Sequence, residues 1–242
     1  MQLAAPAGGT DPLGALVTGN PISPIWAGEI QCRGLGLAIE VLDEAGHSLV
    51  DTPGELVVTK PFPSMPVALW DDPSGERYLG TYFKTFPGVW RQGDWAVLNQ
   101  RGGVVVFGRS DATLKVRGIR IGTSEIYRAL RSHVEIVESV AVAWHSASGE
   151  AVILFVKLID GLRLDDRLAA AIRASLRENL SPRHEPDYVF QVPDIPRTVT
   201  GKISESAVRA AINGEPVANV GALANPDSLK QFVTIRQERL ST

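Results

Sequence analysis

The chain has 242 residues, 44% apolar and 21% charged, the composition of a folded globular protein with room for one large core or two smaller ones. Its formal net charge of −3 gives no electrostatic basis for binding nucleic acid or an anionic membrane. One cysteine, Cys32, and four scattered histidines exclude an intrachain disulfide, a Cys-cluster zinc site and an HExxH metal site, and point to a reducing, cytoplasmic setting. The longest apolar run, about residues 151–156, is far short of the ~20 residues of a membrane span. Residues 1–9 lack the basic start and longer apolar stretch of a signal peptide.

From Gly28 to Gly108, short apolar runs alternate with turns containing Gly and Pro. "LGLAIEVLD" (35–43) leads into "EAGH", "GELVVTK" (54–60) into "PFPSMP", and "GVVVFGR" (103–109) follows "NQRGG". This spacing predicts a β-rich, barrel-like or sandwich-like unit with no helix before about Ser124.

After Asp111 the rhythm changes. "TLKVRGIRI" (113–121) reads as a hairpin turning near Arg117 and Gly118. "TSEIYRALRSH" (123–133) offers Thr123 or Ser124 as a helix cap, with acids early and basic residues late. "VESVAVAWH" (137–145) and "EAVILFVKLI" (150–159) read as two buried strands. Leu168, Ile172, Leu176 and Leu180, four apart, give a helix over 165–180 one apolar face. A strand over 188–193, a loop holding "IPRTVTGKIS" (195–204) and a short helix from about 204 to 212 follow. Residues 214–228, rich in Gly, Pro, Asn and Ala, read as a loose connection to a last short helix near 228–239. The predicted fold class is mixed α/β (α+β): a β-rich, barrel-like subdomain followed by a small α+β domain.

"GLGLAI" (34–39) begins like a dinucleotide fingerprint, but it lacks the third glycine and runs into a strand. No GxxxxGK[ST] phosphate loop and no GxSxG nucleophile elbow occurs. Four segments remain: "GGTD" (8–11), "RQGDW" (91–95), "GRSDATLKVRGIRIG" (108–122) and "PRTVTGK" (196–202). Taken singly, each has an ordinary reading: Asp94 as a turn residue, Arg109 and Asp111 as a surface ion pair, Lys202 as a solvated loop lysine. In this order and with these gaps they resemble the C-terminal part of the adenylate-forming superfamily, which holds acyl-CoA synthetases, peptide-synthetase adenylation domains and luciferase-like ligases. "GRSDATLKVRGIRIG" matches its hinge-and-hairpin motif, "PRTVTGK" its terminal lysine motif, "RQGD" its ribose-binding aspartate motif and "GGTD" a variant of its Thr-acid motif. The stretches "GNPISPIWAGEIQCRGLGLAIEVLDEAG" and "PFPSMPVALWDDPSG" look most like those of acetoacetate–CoA ligases.

The resemblance implies ATP (leaving as AMP) and CoA as substrates, with Mg²⁺. It implies a catalytic Lys202, a compact cation able to bridge carboxylate and α-phosphate. Gly201 before it would let the backbone approach closely. Asp94 would accept from the ribose hydroxyls, Arg109 would assist at ribose or phosphate, and Asp111 would be the hinge of the small domain. Gly118 would line the pantetheine passage, Arg120 would meet nucleotide phosphate, and Arg177 would meet a CoA phosphate. Thr10 would contact the AMP phosphate, and Asp11, where the family more often has Glu, would bear on Mg²⁺.

The superfamily's SSGTTGxPK-type loop lies ahead of its Thr-acid motif, and nothing like it occurs in the chain. The expected organisation is a residual segment of the large domain (1–26), a β-rich subdomain of it (27–110), a mobile α+β domain (111–215) and a tail with a short helix (216–242). The expected origin is a longer gene product that was cut, or a frame that begins late. Residues up to Trp26 are expected to lack sheet neighbours and to expose Leu13, Leu16, Val17, Ile22 and Ile25. Without the rest of the cleft the reactants lose positioning worth ~7–11 kcal/mol, so the chain alone is expected to be inactive. The implied partners are small molecules (ATP, acetoacetate or a related short acyl acid, CoA), and a separate polypeptide carrying the N-terminal half is a further candidate. A non-catalytic remnant or nucleotide-binding module, and a peptide-synthetase-type fragment, are the alternative readings.

Overall fold

A computed structural model describes residues 4–111, 113–116, 119–146 and 149–240. The chain divides at Asp111 into one unit, Met1–Asp111, and a second, Ala112–Thr242.

The first unit starts with a small antiparallel sheet of β1 (Ala7–Gly9), β2 (Gly14–Thr18) and β3 (Cys32–Arg33). A second sheet runs as a meander through β4 (Ile39–Leu42), β5 (Gly54–Val58), β6 (Trp90–Leu98) and β7 (Val104–Arg109), each strand antiparallel to the next. β4 and β7 end the order and do not pair with each other, so the sheet is open and the barrel-like expectation gives way to a four-stranded meander. Leu16 and Val17 are buried with Ile39, Val41, Leu56, Val58 and Trp90. They are not exposed as expected, because β2 is paired on both sides, by β1 and β3. Leu13, Ile22 and Ile25 do stand in solvent.

Two elements of this unit escape the sequence reading. A helix, α1 (Glu76–Tyr82), precedes Ser124, starting from left-handed Gly75. Tyr78 and Tyr82, one turn apart, bring their rings into edge contact, and Tyr82 stacks on Trp90 at 3.8 Å between centroids. The other is β6, whose apolar ends are interrupted by Arg91, Gln92, Gly93 and Asp94. It is held as a strand by pairing to β5 and β7, with an irregularity in each ladder.

The second unit opens with the two-stranded ladder of β8 (Leu114–Val116) and β9 (Ile119–Ile121). α2 (Thr123–Ala129) starts one residue earlier than the two candidate caps allow: Gly122 is its cap, with no side-chain cap bond. Then come β10 (Ile136–Ser146), β11 (Gly149–Leu158), α3 (Asp166–Asn179), β12 (Tyr188–Gln191), α4 (Glu205–Asn213) and α5 (Leu229–Arg239). The α3 cap is Asp165, whose carboxylate accepts from the Leu168 amide at 2.8 Å.

β11 is the centre of this unit's main sheet, antiparallel to β10 and parallel to β12. Alternation along the strands divides the core in two. Ala141, Ala143, Leu154 and Val156 pack with Ile126, Ile172 and Leu176 of α2 and α3. Val140, Val142, Ile153 and Phe155 pack with Val208, Ile212 and Phe232 of α4 and α5. The sheet is covered on both faces, which is why β10 and β11 read as continuous apolar runs. Among the described residues no helix is long and apolar enough to cross a membrane.

Candidate active site

On the first unit the predicted residues gather around the irregular middle of β6. Gly93 has φ +82°, a conformation that favours glycine, and a Cβ built there would lie 2.5 Å from Arg109 Nη2. The missing side chain lets the Arg109 guanidinium lie against the β6 backbone, where it donates to the Gln92 carbonyl at 2.9 Å. Asp94 pairs across the ladder with Arg109, and Arg109 Nη1 stands 3.6 Å from Asp94 Oδ1. Arg109 Nε stands 3.6 Å from Asp111 Oδ1, so one guanidinium faces both acids. Substituting Gly93→Ala is expected to displace Arg109 and cost about 1–3 kcal/mol of stability. An unchanged urea midpoint would contradict this.

Asp94 is 9% exposed, and burial, reinforced by the Glu55 and Asp111 charges and opposed by Arg109, lifts its carboxyl to about 6. It is ionised above neutral pH. Among the described residues no donor comes closer to it than the 3.6 Å Arg109 contact. A buried carboxylate with unused acceptor capacity suits a pair of hydroxyl donors.

Beneath it lies a second buried acid that the sequence gives no reason to single out. Ser110 Oγ donates to Glu55 Oε1 at 2.8 Å, Arg91 Nη2 donates to Ser110 Oγ at 2.8 Å, and Arg91 Nε is ion-paired with Glu55 at 3.2 Å. The Ser110 amide also donates to the Gly93 carbonyl at 2.9 Å. Ser110 is thereby tied into the sheet one residue before Asp111, where the unit ends.

Thr10 and Asp11 occupy the exposed turn between β1 and β2. Gly9 abuts Gln92, since a Cβ there would lie 2.7 Å from Gln92 Nε2. The Tyr82 hydroxyl donates to Asp11 Oδ2, and burial together with Asp11 pushes the phenol well up from its ordinary value. The Thr-acid turn is thus tied through Tyr82 and Gln92 to the strand that carries Asp94. Tyr82 was missed with α1; the four-residue spacing of Tyr78 and Tyr82 was its signal. No group of three or more acids, histidines or cysteines suited to a metal occurs among the described residues. Asp11 offers a single carboxylate, which fits magnesium's habit of taking one or two carboxylates and completing its shell from phosphate and water.

On the second unit Lys202 is exposed, and its ammonium has no ion pair among the described residues. The loop before it is a tight hairpin. The Thr198 amide donates to the Lys202 carbonyl at 2.8 Å, the Gly201 amide to the Thr198 carbonyl at 2.8 Å, and Arg197 bridges to Ile203. Thr198 Oγ1 also accepts from the Lys202 amide at 3.2 Å. Gly201 has φ +84° with open space where a Cβ would stand, so the turn itself favours glycine here. Residues 214–228 are no loose connection: residues 222–225 run along the lysine loop, joined to it by main-chain bonds.

Arg177 lies on α3 in a two-point pair with Glu185, at 2.9 and 2.7 Å, and any phosphate would compete with that carboxylate. Arg120 lies on β9, its backbone paired with Lys115. Gly118 lies outside the described residues.

Residues 125–202 match the family model of the AMP-binding enzyme C-terminal domain. The chain is 45% identical over 237 residues to acetoacetyl-coenzyme A synthetase of Rhizobium meliloti (strain 1021), a match covering 98% of this chain and 36% of that protein. It is 41% identical to acetoacetyl-CoA synthetase of Xenopus tropicalis, over 96% of this chain and 35% of that one. The solved acetoacetyl-CoA synthetase from Streptomyces lividans superimposes with a TM-score of 0.90 at 43% identity, again over 98% of this chain and 36% of its own. The chain therefore spans about a third of the length of these relatives. Along almost all of its length the chain is thus similar to the C-terminal part of acetoacetyl-CoA synthetases, and within it residues 125–202 form an AMP-binding enzyme C-terminal domain.

Proposed function

We propose that this chain supplies the C-terminal part of an ATP-dependent, AMP-forming ligase that activates acetoacetate, or a related short acyl acid, and transfers it to CoA. The observation that carries this reading is the match to acetoacetyl-CoA synthetases along 98% of the chain. In the first half-reaction a carboxylate oxygen attacks the α-phosphorus of ATP, pyrophosphate leaves and an acyl-adenylate remains. In the second the CoA thiolate attacks the acyl carbonyl and AMP leaves.

Asp94 accepts hydrogen bonds from both ribose hydroxyls and so fixes the nucleotide's register. Arg109, lying against the Gly93 backbone, holds Asp94 ionised and faces ribose or phosphate. Thr10 donates to the AMP phosphate, and Asp11 would be the protein ligand of Mg²⁺, which when bound neutralises phosphate charge. Lys202 places its ammonium between carboxylate and α-phosphate during adenylate formation. Asp111, following the anchored Ser110, is the hinge about which the α+β unit turns to bring the β8–β9 hairpin to the nucleotide. There Gly118 leaves room for pantetheine, Arg120 meets phosphate and Arg177 exchanges Glu185 for a CoA phosphate. The single free cysteine supports a cytoplasmic location.

The test is to join these 242 residues to the N-terminal portion of an acetoacetyl-CoA synthetase. Acetoacetate- and CoA-dependent release of AMP and pyrophosphate is expected, with no turnover by the 242-residue polypeptide alone. Release of ADP, or ligase turnover without the added portion, would contradict the proposal.

A further inference from the structure

The matched domain ends at Lys202, yet the residues after it are built into the lysine loop. Residues 222–225 lie antiparallel to 197–199: the Val199 amide donates to the Ala222 carbonyl at 3.0 Å, the Ala224 amide donates to the Arg197 carbonyl at 2.8 Å, and Thr198 bridges to Leu223. Asn225 completes the seam. Its Oδ1 accepts from the Arg197 amide at 2.8 Å, while its Nδ2 donates to the Ile195 carbonyl at 3.0 Å and to Asp194 Oδ2 at 2.5 Å. Both polar ends of one half-buried amide are therefore spent on Asp194, Ile195 and Arg197, at the start of the lysine loop.

The seam is anchored at both sides. Asp194 is held from β11 by Lys157 Nζ at 2.8 Å. Beyond Asn225, Gln231 on α5 donates to the Asp194 carbonyl, and Phe232 is wholly buried against Phe155 with ring centroids 4.8 Å apart. By contrast Val199 and Lys202, at the far side of the turn, are exposed. The loop is thus fixed along its stem and open at its tip, an arrangement that aims a lysine without enclosing it.

We propose that Asn225 is a positioning residue for Lys202: with the 222–225 seam it holds the stem of the lysine loop in the form that presents the ammonium. The seam stands on hydrogen bonds alone; its consequence for catalysis rests on the role given to Lys202 above. The two parts fail separately.

In the wild-type chain, the amides of Arg197, Val199 and Ala224 each bond across the seam, so native-state hydrogen exchange should give them one common protection. Independent exchange of Ala224 and the two loop amides would overturn the seam without any variant being made. In Asn225→Ala the Arg197, Val199 and Gly201 amides should exchange about tenfold or more faster, with α3 and the β10–β11 ladder unchanged. Unchanged loop exchange in the folded variant would overturn the role of Asn225. In the joined ligase, the same variant should slow adenylate formation about tenfold while sparing thioester formation from supplied acyl-adenylate. Faster loop exchange with adenylate formation at the wild-type rate would overturn the positioning role. A Lys202→Ala ligase that still forms adenylate would instead refute the catalytic reading and leave the seam standing.

Discussion

Replacing Lys202 with alanine in the joined ligase is expected to slow adenylate formation by about 10²–10³-fold, the usual cost of removing one preorganised donor from a transition state's developing charge. Thioester formation from supplied acyl-adenylate is expected to stay near the wild-type rate. The asymmetry follows from where charge gathers. Attack of a carboxylate on an α-phosphate draws two anionic groups together, and an ammonium between them is worth more at that moment than in the separated reactants. In the thioester step the phosphate is leaving and that need has gone. Arginine should not restore the rate, because its planar fork is larger and cannot act as a point charge between two oxygens. Single-turnover measurement of both half-reactions decides the matter, and equal loss in both would remove Lys202 from the adenylating step.

The second large effect concerns Asp94 and has opposite signs for stability and for binding. Its carboxyl titrates at about 6 in the folded chain against 3.8 as an ordinary aspartate, so between those values the folded state holds the extra proton. This group therefore adds stability as pH falls through 6 and towards 4, and costs stability above 6. Roughly two units at about 1.4 kcal/mol each put the cost near 3 kcal/mol at pH 8. Asp94→Asn is expected to recover about 1–3 kcal/mol at pH 8, with the gain shrinking to nothing near pH 4. The same variant should bind AMP about tenfold or more weakly, since an amide replaces a charged acceptor facing two hydroxyls. Urea unfolding at pH 4, 6 and 8 with calorimetric AMP titration tests both signs together. A variant that is less stable at pH 8 would show that Arg109 outweighs burial at this carboxylate.

The parts of the fold that follow simple periodicity were open to reading. β10, β11 and α3 are regular because their residues serve packing alone: Ile153 and Phe155 face one helix layer, Leu154 and Val156 the other. β6 was closed to it for the opposite reason. Arg91, Gln92, Gly93 and Asp94 stand where apolar alternation would have announced a strand, and each is spent on the site. α1 was hidden by the Gly and Thr in "ERYLGTY", and with it Tyr82. The "PRTVTGK" and "GRSD" segments stood out as motifs, but what steadies them did not. Glu55 and Ser110 lie 55 positions apart, and Asn225 sits in a stretch whose composition resembles a linker. Long-range partners of that kind leave no trace in local pattern.

The most direct measurement is a crystal structure of the joined ligase holding a non-hydrolysable acyl-adenylate. Both ribose hydroxyls are expected on the Asp94 carboxylate, and the Lys202 ammonium within about 3 Å of an α-phosphate oxygen, at charge-assisted hydrogen-bond distance. An adenylate bound with its ribose away from Asp94, or with Lys202 turned to solvent on a remote face of its unit, would contradict it.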